Sequence, residues 1–394
     1  MCLGRLVSAQ DPTDAGAPPH ADARTQFPAF LIDSYVGLNL GFIDYHFSDR
    51  QLEPGFSVQT VDTPHVAGRV TLFGHQFNKY LSAQLTYMRP VLYVSYKNVN
   101  DDQVRHRLFT HFGGVTVRPE FPLTPTASIY AEAGLGVTTR RRLVVDDATA
   151  MKEAMFGSVL FGGGIEYHAS RTWDLTAGLT YSPGRDRDKQ PHTIFLSGGF
   201  QYNLHSLPPA RVEANRHTDA MFPEHVIQLE YTTGIGYAVN DFFSKKLPIF
   251  WSGNVRVPRG IAVHYDRNVF HTRKLFSLDL GTSVSYWRSR DARETFATLS
   301  AYPLLRFTVL HVKAADFYVC YSLAGPTYVS KRVIDGSDTG NHFTYQDFMG
   351  VGTFIGRTRR ISAGLKINHY SNGNIFTANA GIKVPLTVTL GYTF

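Results

Sequence analysis

From Leu31 onward, apolar residues recur at every second position along segment after segment, many of them ten residues or longer. Successive side chains of an extended strand point to opposite faces, so this period gives each strand one apolar and one polar face. In 35–42, Val36, Leu38, Leu40 and Phe42 alternate with Tyr35, Gly37, Asn39 and Gly41. In 129–138, Ile129, Ala131, Ala133, Leu135 and Val137 alternate with Tyr130, Glu132, Gly134, Gly136 and Thr138. Residues 173–181 repeat the pattern from Trp173 to Tyr181, and no helix of three turns with proper caps is legible. Soluble sandwiches also alternate, but their strands average about five or six residues. Strands of about ten cross a bilayer at a tilt. Lipid leaves no partner for unpaired backbone groups, so such strands must close into barrels. The polar, glycine-rich face suits a barrel interior.

Strand candidates fall into two sets. The first centres on 31–45, 66–75, 81–96, 107–118, 127–139, 157–168, 172–182 and 192–204. The second centres on 225–238, 255–265, 274–288, 295–311, 315–329, 342–355, 360–371 and 382–394. Between them, 205–222 is polar and proline-containing and reads as a linker. The expected fold is all-β: two tandem eight-stranded antiparallel transmembrane β-barrels over 29–204 and 223–394, with one sixteen-stranded barrel as the alternative. Eight strands leave an interior just filled by side chains, so neither half should be an open pore.

Composition excludes several classes. Charged residues at 18% and aromatics at 13% rule out general disorder. No apolar run is long enough for a membrane-spanning helix. Cys2 and Cys320 are too few for a disulfide scaffold or a cysteine metal site. The net charge of +7 favours an anionic partner, but it is scattered, with no basic tail to suggest nucleic acid. Residues 1–28 are expected to be a solvated leader. Val7-Ser8-Ala9 resembles the end of a signal peptide without the apolar stretch that should precede it.

One constellation carries chemistry. In strand 360–371, Ile361, Ala363, Leu365 and Ile367 form the apolar, lipid-facing row, and His369 and Ser371 share their parity. Ser362, Gly364, Lys366, Asn368 and Tyr370 face inward. A histidine and a serine therefore stand together on the outer wall, a placement that also suits an interfacial histidine at a barrel rim.

Residues 343–394 resemble the C-terminal end of the lipid A 3-O-deacylase family, outer-membrane lipid hydrolases on eight-stranded barrels. The likeness is carried by the tyrosine-glutamine-acid strand, Gly350-x-Gly352 and His369-Tyr370-Ser371-Asn372. The first half resembles only the general OmpA-type barrel. The closing alternation Val384, Leu386, Val388, Leu390, Tyr392, Phe394 resembles the sorting signal of bacterial outer-membrane barrels. The resemblance implies a serine esterase cutting an acyl ester of lipid A: Ser371 as nucleophile, His369 as general base and Asn372 at the oxyanion-stabilising position, with no metal or cofactor. The implied partner is lipopolysaccharide in the outer leaflet; a homodimer is compatible with this reading.

The chain departs from the family at one point. Where the family carries an acid early on the last strand, this sequence has Lys383, which cannot accept an imidazole N–H. With Phe394 facing out, an unbulged strand turns Lys383 inward. Asp347 is the expected substitute. If the turn Arg357-Thr358-Arg359 joins the two strands, paired residue numbers sum to about 716 and Asp347 opposes His369; an interfacial water or an arginine is the other partner open to Asp347.

Arg140-Arg141-Arg142 and Arg357/Arg359/Arg360 are weaker candidates for phosphate contacts. The first group reads as a solvated turn beside a periplasmic or loop strand end. Gly162-Gly163-Gly164 reads as a place where a barrel wall bends, and the histidines show no metal-ligand spacing. The rival to an enzyme is a structural or adhesive barrel with a vestigial His-x-Ser.

Overall fold

The alternating segments fold as the period dictates. A computed structural model describes residues 23–218, 220–246 and 253–394. Its long strands, numbered in chain order, are β1 (Ser34–Asp44), β2 (Val66–Asn78), β3 (Leu81–Pro90), β4 (Thr110–Thr124), β5 (Ala127–Arg140), β6 (Ala154–His168), β7 (Trp173–Ser182) and β8 (Thr193–Leu204). The second set is β9 (His225–Thr232), β10 (Arg259–His271), β11 (Phe276–Arg288), β12 (Thr295–Val312), β13 (Ala315–Val329), β14 (Phe343–Ile355), β15 (Ile361–Ser371) and β16 (Ile382–Thr393). Each set pairs antiparallel in chain order and closes on itself, β1 with β8 and β9 with β16. Two eight-stranded barrels result, and the single sixteen-stranded alternative falls.

Outward positions stay apolar and uncovered, as at Leu135 (74% exposed) and Leu390 (63%). Inward positions are polar and buried, and their charges are matched. In the first barrel Arg118 pairs with Glu166, and Arg69 with Glu132. In the second, Arg306 pairs with Asp279, while His264 Nε2 lies 2.8 Å from Glu230. An unpaired charge at these depths would cost several kcal/mol, so matching is what lets a polar lumen exist. Within the Gly162–Gly164 run, Gly164 makes room for a lumen side chain: a Cβ there would sit 2.8 Å from the Tyr130 hydroxyl and 2.2 Å from the Ala177 carbonyl.

Four local expectations change. The segment 225–238 is not one strand: β9 ends at Thr232, and a helix, α2 (Tyr237–Lys246), follows after α1 (Pro209–Arg216) in the linker. Residues 94–96, placed at the end of the third strand, instead belong to a three-stranded sheet of Val58–Asp62, Val94–Val99 and Arg105–Leu108 beyond the first barrel. The end of the leader is docked rather than solvated. Arg24 donates to the Phe222 carbonyl at 2.9 Å, and the Phe27 ring lies 4.4 Å from that of Phe270; Cys2 and Val7-Ser8-Ala9 lie outside the described residues. Finally, Arg140 is not in a solvated turn: it lies at the rim away from Ser34 and Leu204, level with the ends of β1 and β3. It is buried, and its guanidinium donates to the carbonyls of Asp188, Lys189 and Lys152.

Candidate active site

Strands β14, β15 and β16 form the wall that carries the His-x-Ser pair. Lys366 Nζ donates to Gln228 at 3.0 Å, Asn368 Nδ2 to Glu230 at 2.6 Å, and Trp287 Nε1 to the Tyr370 hydroxyl at 3.2 Å. These lumen contacts fix the inward row of β15, so strand alternation turns Ile367, His369 and Ser371 outward. The β14–β15 register pairs Asp347 with His369 and Tyr345 with Ser371. The acid predicted to oppose the imidazole does so in the ladder. Among the described residues, the hydrogen bond to the Asp347 carboxylate comes from Ala324 N–H at 2.7 Å. Ala324 sits in a register shift of β13 with φ 44°, and that bulge aims its N–H at the acid.

Lys383 corrects the expected orientation. Between the Lys366↔Thr387 and Asn368↔Val384 pairs, β16 uses one residue more than β15. That bulge reverses the parity above it. Ile382 and Val384 join a buried cluster with Trp287 and Tyr370, while Lys383 becomes the ladder partner of His369 on its other side. Its ammonium donates to Asp241 Oδ1 of α2 at 2.7 Å. Asn240 Nδ2 donates to the Val384 carbonyl at 3.2 Å, so α2 is pinned to β16 beside the site.

Asn372 is fully buried and its donors are engaged. Its Nδ2 reaches the carbonyls of Thr339 (2.9 Å) and Ala378 (2.8 Å), and its N–H reaches Asn379 Oδ1 at 3.1 Å. The side-chain amide therefore ties the 372–380 loop together, and the backbone N–H is held by Asn379.

The first barrel grips the same loop, a contact no sequence signal announced. The outward-facing Tyr87 hydroxyl of β3 donates to the Gly373 carbonyl at 2.7 Å. Thr139 Oγ1 of β5 donates to the Asn374 carbonyl at 2.6 Å, and Asn374 Nδ2 lies 3.2 Å from His111 Nε2 of β4. Although His369 and Asp347 face out, they are 3% and 5% exposed, against 54% for Val351 lower on the same wall. The pair therefore sits in a niche flanked by α2 and the first barrel rather than on open surface.

Among the described residues, one three-residue group with metal-ligand spacing, Glu166, His168 and Asp174, lies in the first barrel across β6 and β7, where chain spacing hides it. Its ligand atoms serve one another: His168 Nδ1 is 2.9 Å from Asp174, its Nε2 is 2.9 Å from Ser128 Oγ, and Glu166 holds Arg118. This is the pattern of a hydrogen-bonded network.

Residues 259–393 match the family model of the lipid A 3-O-deacylase PagL, and residues 32–190 match that of the OmpA-like transmembrane domain. No curated protein matches the chain. Among solved structures, the outer membrane enzyme PagL is 15% identical over 43% of this chain and 99% of its own, with a TM-score of 0.31. Neisserial surface protein A is 16% identical over 43% of this chain and 97% of its own, TM-score 0.31. The attachment invasion locus protein Ail of Yersinia pestis is 14% identical over 43% of this chain and all of its own, TM-score 0.29. The chain is therefore a bacterial outer-membrane protein of two β-barrels, OmpA-like over residues 32–190 and matching the lipid A 3-O-deacylase family over residues 259–393.

Proposed function

We propose that the second barrel is a serine esterase that removes the acyl chain at the 3-position of lipid A from lipopolysaccharide in the outer leaflet. The observation that supports this reading is the shared outward parity of His369 and Ser371 at the upper end of β15, within the segment that matches the deacylase family. A lipid-facing nucleophile can take an ester from the bilayer without extracting the lipid. Ser371 Oγ attacks the ester carbonyl carbon as His369 takes its proton. The tetrahedral oxyanion is met by the Asn372 N–H, exchanged from Asn379. The carbon–oxygen bond then breaks, the sugar 3-hydroxyl leaves with the proton from His369, and water releases the acyl chain from Ser371. Asp347 orients the imidazole from the neighbouring strand. This reading needs no metal and no cofactor. In keeping with it, the unit boundaries are 1–28, 29–204, 205–222 and 223–394.

Lys383 favours the second reading, a structural or adhesive barrel, since it stands opposite His369 where an acid would be wanted. Mass spectrometry of lipid A from cells making the protein separates the two. Wild type is expected to strip a 3-linked hydroxyacyl chain. Ser371→Ala is expected to lower the rate by about four or more orders of magnitude. Lipid A left unchanged by inserted wild-type protein would establish the second reading.

A further inference from the structure

The rim between the barrels holds a cavity of about 720 Å³. One wall is Phe376–Ala380, the continuation of the loop that follows Ser371, and Arg332 and Asp338 stand beside it. The opposite wall is the first barrel's Arg141, Arg142 and Glu153. Arg332 Nε and Nη2 close on Asp338 at 3.1 and 2.7 Å, so that pair is neutralised internally. Arg141 and Arg142 differ. Among the described residues neither has a carboxylate in ion-pairing range, and Arg141 is held over the Phe109 ring, 5.4 Å from its centroid. Burial lowers the Arg141 pKa, Tyr93 offsets part of this, and the like charge of Arg142 lowers it further. Asp338, already bound by Arg332, attracts Arg142 only from longer range, and two adjacent guanidinium groups with no carboxylate in ion-pairing range, at the mouth of a polar cleft, are an arrangement an oxyanion relieves. Planar forked donors match phosphate oxygens two at a time.

We propose that this cleft seats a phosphate ester on the sugar headgroup of an acylated glycolipid, with Arg141 and Arg142 as its ligands and the first barrel thereby completing the substrate site. The inference rests on the hydrolase reading for the identity of the lipid, and it gives the first barrel a task. The 372–380 loop links the two places. It begins next to the nucleophile, is clasped by Tyr87, Thr139 and His111, and then lines the cleft. A headgroup held between the barrels would bring its esterified hydroxyl toward the outer wall of β15 while the acyl chain stays in the bilayer.

Binding is the readout that separates this idea from catalysis. The full chain carrying Ser371→Ala, in detergent micelles, is titrated with bisphosphorylated lipid A, with the same lipid stripped of phosphate, and with inorganic phosphate. The expected result is about tenfold tighter binding of the phosphorylated lipid, a preference lost in Arg141→Gln/Arg142→Gln. Arg141→Lys/Arg142→Lys keeps the charge and should keep most of the preference, and a heat-shifted gel mobility establishes that each variant is folded. Equal binding of the two lipids, or a preference that survives the glutamine pair, overturns the proposal. Inorganic phosphate competing as well as the lipid would replace the headgroup with a free anion and equally overturn it. Phosphate preference in a protein whose wild type never releases an acyl chain would sink the hydrolase reading alone.

Discussion

Position 383 concentrates the chemistry of the site into one choice of side chain. In the ladder, His369 has Asp347 on one side and Lys383 on the other. A carboxylate can hold the imidazole N–H and stabilise the cation that forms during turnover; an ammonium can do neither. If Asp347 supplies the acid, Asp347→Asn should cost about two to four orders of magnitude in kcat while binding changes little. Unaltered turnover would remove Asp347 from the mechanism. Lys383→Glu tests the other side: it sets a carboxylate directly across from His369 and is expected to raise kcat about tenfold. That gain is read together with lipid binding, since the variant also gives up the Lys383–Asp241 contact that pins α2. The shared face of His369 and Ser371 was legible from parity alone, and the ladder pairing of Asp347 with His369 from the register implied by a short turn. Asp241 was not legible, because it reaches the site from a distant loop helix that strand periodicity cannot report.

The strands were legible because outward and inward environments differ so sharply that period two survives along their whole length. What escaped were departures from that period. The alternation His225 to Thr232 seemed to continue to residue 238, but α2 takes over after a turn with Gly234 and Gly236 at positive φ. The β16 bulge reverses Lys383, and Pro385 was its one visible signal, since proline has no N–H for a ladder and sits at bulges or edges. Rim loops carry their own order. Asp335 accepts from Ser289 Oγ at 2.6 Å and Ala292 N–H at 2.8 Å, tying the 289–294 turn to the 333–338 hairpin. Burial works to raise its pKa, but those hydrogen bonds outweigh it and hold the carboxyl below the usual aspartate range. A depressed folded pKa contributes stability that is present above the unfolded value and is lost as pH falls through the folded one. Amide exchange in 333–338 should therefore speed up as pH is lowered below about 4, after correction for intrinsic rates. Asp335→Asn should be loosened at neutral pH and show no such transition.

On the scale of the whole molecule, the barrels meet at the rim, while much of their walls lower down stays open to lipid. Val115 and Leu135 of the first barrel are 60% and 74% exposed, whereas His111 and Thr139 near the rim are 2% and 3%. The clasp on Gly373 and Asn374 is thus a contact at the top of two otherwise lipid-coated cylinders. Tyr87→Phe with Thr139→Val removes two of its hydrogen bonds, each worth about 1 kcal/mol. Exchange of the 372–380 amides should rise about thirtyfold, with the strands of both barrels protected as before. Unchanged exchange there would mean that the loop holds its own shape. A last feature concerns how the second cylinder is sealed. β9 meets β16 only from Thr387 to Thr393, and above that the free margin of β16 is covered by Val255 and Arg256, which run parallel to it. The upper hem of the wall is therefore basted by a loop rather than sewn by a full-length neighbour. Thermal parting of the cylinder would start at that hem, on the strand that borders His369, before the fully laddered seams lower down give way.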